Sequence, residues 1–141
     1  MFKVIVIATD GSESGDLAVA FAKDLAREQT SRVVVVHVDQ LIPGRGGAHH
    51  AESLEPEITA KIEGQVSALR DGGLDVKLEL HQTAVHGPAH AIADDAKAEK
   101  ADLIVVGSVG SGPLKGLLLG SVAHRLLQIA PCPVLVVPTD R

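Results

Sequence analysis

The chain has 141 residues, 45% of them hydrophobic and 22% charged, with a formal net charge of −5. That is enough apolar material for one folded domain, and too little clustered Lys and Arg for a general nucleic-acid binder, whose affinity comes from counterion release. No apolar run approaches the ~18 residues of a membrane span, and Cys132, the single cysteine, excludes an internal disulfide or a thiolate zinc cluster.

Met1-Phe2-Lys3 leads straight into Val4-Ile5-Val6-Ile7 without the regions of a secretory signal, so a cytosolic location is expected. The first predicted strand is Lys3 to Ala8. A loop from Thr9 to Gly15 follows, with Asp10 and Glu13 in it and Asp16 just beyond. Leu17, Phe21 and Leu25, flanked by Ala18 and Ala22, predict a helix with one apolar stripe. Arg32 to Val38 is a second strand, rich in Val with little alternation, as in strands covered on both faces. Val38 to Ser53 is irregular and holds Gly44-Arg45-Gly46-Gly47 and His49-His50; such a connection is a lid, a binding loop or disorder.

Leu54, Ile58, Ile62, Val66 and Leu69 make a second helical stripe, stopped by Asp71-Gly72-Gly73. Asp75 to Leu80 alternates Val76, Leu78 and Leu80 with Asp75, Lys77 and Glu79, the pattern of an outer strand with one exposed face. Pro88 opens a third helix through Ala89, Ile92, Ala93 and Ala96. Leu103 to Val106 is a buried strand, a fourth helix runs from Ser121 to Ala130, and Val134 to Val137 is a last strand. Pro133 and Pro138 confine that strand to a sheet edge, and a bare edge is covered either by a two-fold partner or by the loop from Gly110 to Leu119. Strand and helix alternate throughout residues 1–141, which predicts one domain. Its fold class is α/β, an open doubly wound sheet of about five parallel strands, with a ligand site at their carboxyl ends.

The chemistry concentrates where the fourth strand gives way to the fourth helix. Gly107, Gly110, Gly120 and Ser121 stand there, and glycines before a helix N-terminus make a cradle for an anion. The acids Asp10, Glu13 and Asp16 at the first helix repel phosphate, whereas Ser121, Val122, Ala123 and His124 carry none. Charge therefore assigns a phosphate to the fourth helix and leaves Asp10 either to accept hydrogen bonds from a base or ribose or to cap a turn. A P-loop is excluded because Lys115 is followed by Gly116, and the dinucleotide fingerprint fails at Lys115. With Phe2 and Phe21 the only aromatic residues, neither a flavin sandwich nor base stacking is available. His49-His50 are adjacent and chelate poorly, His86 and His90 are separated by Pro88 with no third ligand, and Cys132 reads as a packed thiol, so no metal ligand is assigned.

The spacing Gly107-x2-Gly110-x9-Gly120-Ser121, with Asp10 after strand one, resembles the ATP-binding branch of the universal stress proteins. The resemblance extends over His37-Val38-Asp39, His86-Gly87-Pro88-Ala89, Ala101-Asp102-Leu103-Ile104 and Pro131-Cys132-Pro133-Val134. It implies a five-stranded sheet in the order 3-2-1-4-5, a homodimer, and a binding protein with at most slow ATP hydrolysis. It also implies adenine contacts at Ala8, Thr9, Asp10 and Val38, and ribose and phosphate contacts at Val106, Gly107, Gly110, Gly120, Ser121 and Val122. Val109 stands where the family often has Arg or His. Triphosphate charge then falls on backbone amides, Ser108, Ser111, Ser121, Lys115 and a divalent ion such as Mg or Mn. Weaker ATP binding, or preference for AMP or cyclic AMP, follows from that departure.

Overall fold

Residues 1–40, 56–83, 87–108 and 120–139 are described by the computed structural model. Valine and isoleucine runs form strands here because branched side chains on both faces find cover. β1 (Val4–Ala8), β2 (Arg32–Gln40), β3 (Val76–Thr83), β4 (Leu103–Gly107) and β5 (Val134–Val137) make one parallel sheet in the order β3-β2-β1-β4-β5. The chain winds outward through α1 (Glu13–Gln29), β2 and α2 (Pro56–Asp71) to the β3 edge. It then crosses back through α3 (Pro88–Ala98) to β4, and through α4 (Ser121–Ile129) to β5. The reversal of direction between β1 and β4 is the expected switch point.

Alternate residues of the same strands feed two cores. Ile5, Ile7, Val33, Val35 and Val105 pack under α1 and α2, with Ala18, Val19, Ala22, Ile62, Val66 and Leu69. Val6, Ala8, Val34, Val36, Ile104 and Val106 pack under α3 and α4, with Ala89, Ile92, Ala93, Ala96, Ala123 and Leu126. The doubly wound fold and the two-face burial of the central strands agree with the sequence pattern. One helix face does not. On α1 the buried stripe is Ala18, Ala22 and Ala26 with Val19, while Phe21 is 45% exposed and Leu17 and Leu25 lie half-buried on its flank. Small residues let α1 approach the sheet closely, and the larger ones are rotated to the rim. Leu80, 46% exposed, is where β3 runs past its helical cover at the sheet edge. Leu54 and the irregular stretch with His49-His50 fall outside the described residues.

Two ties set the relative height of the strands. The Asp102 carboxylate accepts hydrogen bonds from the backbone N–H of Lys3 (2.8 Å) and Val4 (2.9 Å), fixing the start of β1 against β4. Gly107, at the opposite end of β4, abuts the first turn of α1. A Cβ there would collide with Ser14 Oγ and lie 2.6 Å from its carbonyl oxygen. Cys132 packs against the second core, and burial pushes its thiol pKa up, consistent with an inert thiol.

Gly107→Ala therefore overpacks a backbone contact and lowers unfolding free energy by about 1–3 kcal/mol. Gly64→Ala, in α2 with nothing within 4 Å of the added carbon, raises it by about 0.5–1 kcal/mol. Urea denaturation of the two variants beside the wild type measures both signs. The two N–H donors, Val4 foremost, hold the Asp102 carboxyl below the usual carboxylate range. Its contribution is complete at neutral pH. It fades as the pH falls through that range towards the lowered folded value. The stability gap between wild type and Asp102→Asn should accordingly be constant from pH 7 to 5 and narrow below pH 4, as urea titrations at stepped pH would record.

Candidate functional site

The carboxyl ends of β1, β2 and β4 converge on one edge, and each is locked by local hydrogen bonding. After β1 the loop Thr9–Ser12 folds on its own side chains. Thr9 Oγ1 accepts from Gly11 N (3.2 Å), while Asp10 Oδ1 accepts from Ser12 N (3.0 Å) and from the Ser12 hydroxyl (2.5 Å). Gly11 sits at φ +81°, where a side chain would be strained and would also strike Ile58 of α2. Ser12 then caps α1 by accepting from Gly15 N (3.2 Å), with Glu13 and Asp16 in the first turn. Lys61 of α2 donates to Gly11 O (2.7 Å) and Asp16 Oδ2 (2.9 Å), and Gln65 donates to Asp16 Oδ1. The α1 N-terminus is thus closed by its own cap and ringed by acids. Asp10 fills the capping role anticipated for it with one of its oxygens.

β2 is joined to this loop by His37, which is buried. Its Nδ1 donates to Thr9 O (2.8 Å), and its Nε2 lies 2.9 Å from Asp39 Oδ1. The ring thereby bridges the end of β1 to the end of β2. His37 is not among the predicted site residues; the signal for it in the sequence is its polarity within an otherwise apolar run.

The α4 N-terminus is built differently. Gly120 is its N-cap, with no side chain of its own to close the helix, and no acid occupies its first turn. Gly120 N donates to Ser108 O (2.5 Å), and Ser108 N donates to Val137 O (3.1 Å), so the exit of β4 and the entry to α4 are drawn together. α3 begins in the same manner: Gly87 at φ +81° is the N-cap without a side-chain bond, Pro88 opens the helix, and the first turn has no acid. Between these two helix starts lies a cavity of about 280 Å³. Gly87, Pro88, His90, Ser121, Val122 and Arg125 line it. Two helix N-termini that begin on glycine, with Arg125 in the lining, give the space a positive character. Pro88 and Arg125 were not singled out for binding from sequence, although a helix opening on Gly-Pro without Ser, Asp or Glu is the mark of an uncapped end.

The predicted site residues fall in different places. Thr9, Asp10 and Val38 stand together at the ends of β1 and β2, and Gly120, Ser121 and Val122 form the α4 start. Ala8 and Val106 are register partners on adjacent strands, buried in the core beneath α3 and α4. Gly107 owes its lack of a side chain to Ser14. Gly110, with Val109, Ser111 and Lys115, lies outside the described residues.

The first turn of α4 points backbone N–H groups out of the helix, as helix N-termini do. Similar proteins narrow the identity. A model of the "Universal stress protein family" matches residues 1–138. A universal stress protein of Thermus aquaticus is 37% identical over 140 residues, covering 97% of this chain and 99% of that one. Among solved structures, MJ0577 of Methanocaldococcus jannaschii superposes with a TM-score of 0.85 at 29% identity, covering 100% of this chain and 99% of that one. A universal stress protein in complex with cAMP gives a TM-score of 0.70 at 26% identity, with 96% of each chain covered. One from Archaeoglobus fulgidus in complex with dAMP gives 0.65 at 27%, with 96% and 97% covered. With the fold, the strand order and nearly the whole length in agreement, this chain belongs to the universal stress protein family.

Proposed function

We propose that the protein binds adenine nucleotides across the ends of β1, β2 and β4 and serves as a nucleotide-responsive stress or signalling protein. The observation that carries this reading is the contrast between helix starts. The α1 N-terminus is capped and acidic, while α4 begins on Gly120 without a side-chain cap or an acid, beside a cavity walled by Arg125. Phosphate belongs at the second and is repelled at the first. The base then lies towards Thr9, Asp10 and Val38, where a half-buried valine and backbone groups offer adenine an apolar slot with hydrogen bonds at its rim. Gly107, Gly110, Gly120, Ser121 and Val122 take the ribose and phosphates, with Ala8 and Val106 as the floor.

ATP is the first candidate ligand, with Mg or Mn balancing its charge. AMP and cyclic AMP form a second reading, supported by Val109 in place of a cation and by the cAMP and dAMP complexes of the two structural relatives. We assign no catalytic residue, and ATP hydrolysis is at most slow in this reading. Asp16 is held by Lys61 and Gln65, and Asp10 is engaged in its own turn. A second copy of the chain pairs along β5. That strand is the sheet edge, and Val134, Leu135 and Val136 remain half-buried in the isolated chain. No helix among the described residues is long and apolar enough to cross a membrane.

Titration calorimetry with ATP, AMP and cyclic AMP, with and without magnesium, tests the binding. The expected result is saturable heat with adenylates and none with GTP; a folded protein that binds no adenylate refutes the proposal. Ser121→Glu separates binding from folding. The added carboxylate suits the helix dipole and leaves stability unchanged or higher by about 0.3–1 kcal/mol. It repels phosphate by about 1 kcal/mol per unit charge even in water, so affinity falls at least about fivefold. Sedimentation velocity should give twice the 14.6 kDa chain mass, and Val136→Pro, which removes an edge donor, should return it to monomer.

A further inference from the structure

Away from the nucleotide region, the outer edge of the sheet carries a second group of ligand-type side chains. Glu79 and His81 are two residues apart on β3, so both point to the face covered by α3. Asp95 faces them from α3. His81 Nε2 is 2.5 Å from Asp95 Oδ2, and one donor atom from each of the three residues lies within 4.8 Å of the others. All three side chains are partly shielded, at 28% exposure for Glu79, 33% for His81 and 17% for Asp95.

We propose that Glu79, His81 and Asp95 form a binding site for a divalent first-row cation, zinc being the reference ion. An imidazole nitrogen and two carboxylates are a donor set that such ions accept, and three protein ligands leave a position for water. Donors bound at about 2.0–2.2 Å to one ion sit about 3–4 Å apart. The cluster reaches that by small side-chain rotations: His81 and Asp95 separate, and Glu79 closes in. His81 enters as the neutral ring, with the ion taking the place of the proton between Nε2 and Asp95. Lys77 shares Glu79 with the proposed ion: its ammonium lies 2.6 Å from Glu99 Oε1 and 3.0 Å from Glu79 Oε1, which leaves the other Glu79 oxygen for the ion. Lys77 and Arg32 both pair with Glu99, one turn beyond Asp95, and keep that further acid out of the cluster.

The consequence is a clamp between a strand edge and a helix. β3 is held in the sheet by β2 alone, and Asp95 would tie it through the ion to α3. His81 is also the register partner of Val38, so the clamp fixes the end of the strand pair that presents Val38 to the nucleotide.

Cobalt titrated into nucleotide-free protein, read by visible absorption, tests the proposal, with zinc displacement as the competition step. The expected outcome is one saturable Co2+ site per chain, displaced by zinc, and a thermal midpoint that rises with zinc concentration. Loss of a positioning group near a metal already costs 10–100-fold in affinity. His81→Asn and Asp95→Asn should therefore each lower affinity by at least about tenfold, as should Glu79→Gln at the exposed edge. The double variant His49→Gln/His50→Gln should bind as the wild type does. Binding that follows His49 and His50 instead, a fall of less than tenfold in the three cluster variants, or no saturable site at all overturns the proposal. Histidine proton spectra of the wild-type protein make the test independent of variant folding: Co2+ must broaden or shift the His81 ring signals first. Adenylate affinity, measured separately without metal, leaves the fate of the nucleotide reading distinct.

Discussion

The contact between Gly107 and Ser14 sets the rest of the site. With no side chain at position 107, the first turn of α1 rests on the end of β4, and a Cβ would lie 2.6 Å from the Ser14 carbonyl oxygen. β1 and β4 are neighbours in the sheet, but their following loops would be held apart by any larger residue. Close approach brings the loop Thr9–Ser12 alongside the exit of β4. Gly120 then returns to that exit through its hydrogen bond to Ser108. Three segments distant in sequence are thereby held within one small region before any ligand arrives.

Charge divides that region. Ser12, Glu13 and Asp16 satisfy and neutralise the positive end of α1, and Lys61 and Gln65 of α2 pin Asp16 in place. The starts of α3 and α4 receive no such treatment. Both begin on a glycine N-cap, which costs only about a few tenths of a kcal/mol relative to Ser or Asp and leaves the helix end without an acid. In the proposed nucleotide complex, the same polarity sets phosphate at α4 and base at the ends of β1 and β2.

Much of this was legible in the sequence, for identifiable reasons. Strands buried on both faces need unbroken Val and Ile, so β1, β2 and β4 declared themselves, and the alternation in β3 announced an edge. The glycine spacing between Gly107 and Ser121 underlies the proposed anion region, and the acids after β1 weigh against the start of α1. What failed was whatever depends on distance in sequence. Phe21 looked like core because periodicity cannot tell a central stripe from its flank; only the closeness of α1 to the sheet, set by Ala18, Ala22 and Ala26, decides it. The reason for Gly107 required Ser14. The pairing of His81 with Asp95 joins a strand to the next helix, and local spacing shows only the Glu79-x-His81 half of it.

α3 connects the two polar regions of the molecule. Its first turn, at Pro88 and His90, walls the cavity, and Asp95, about 10 Å further along the helix at 1.5 Å per residue, meets His81. β2 and β3 make the other connection, since Val38 and His81 are paired across the ladder. A helix and a two-strand ladder are stiff, and both span the same two places. Between them lies the second core, where Ile92, Ala93 and Ala96 of α3 pack on Val34 and Val36 of β2. Close-packed interiors of this kind transmit displacement instead of absorbing it. A shift of α3 that tightens the Asp95–His81 end therefore alters the position of its N-terminus at the cavity. α3 thus carries the cavity wall at its first turn and the His81 contact at Asp95 on one continuous helix.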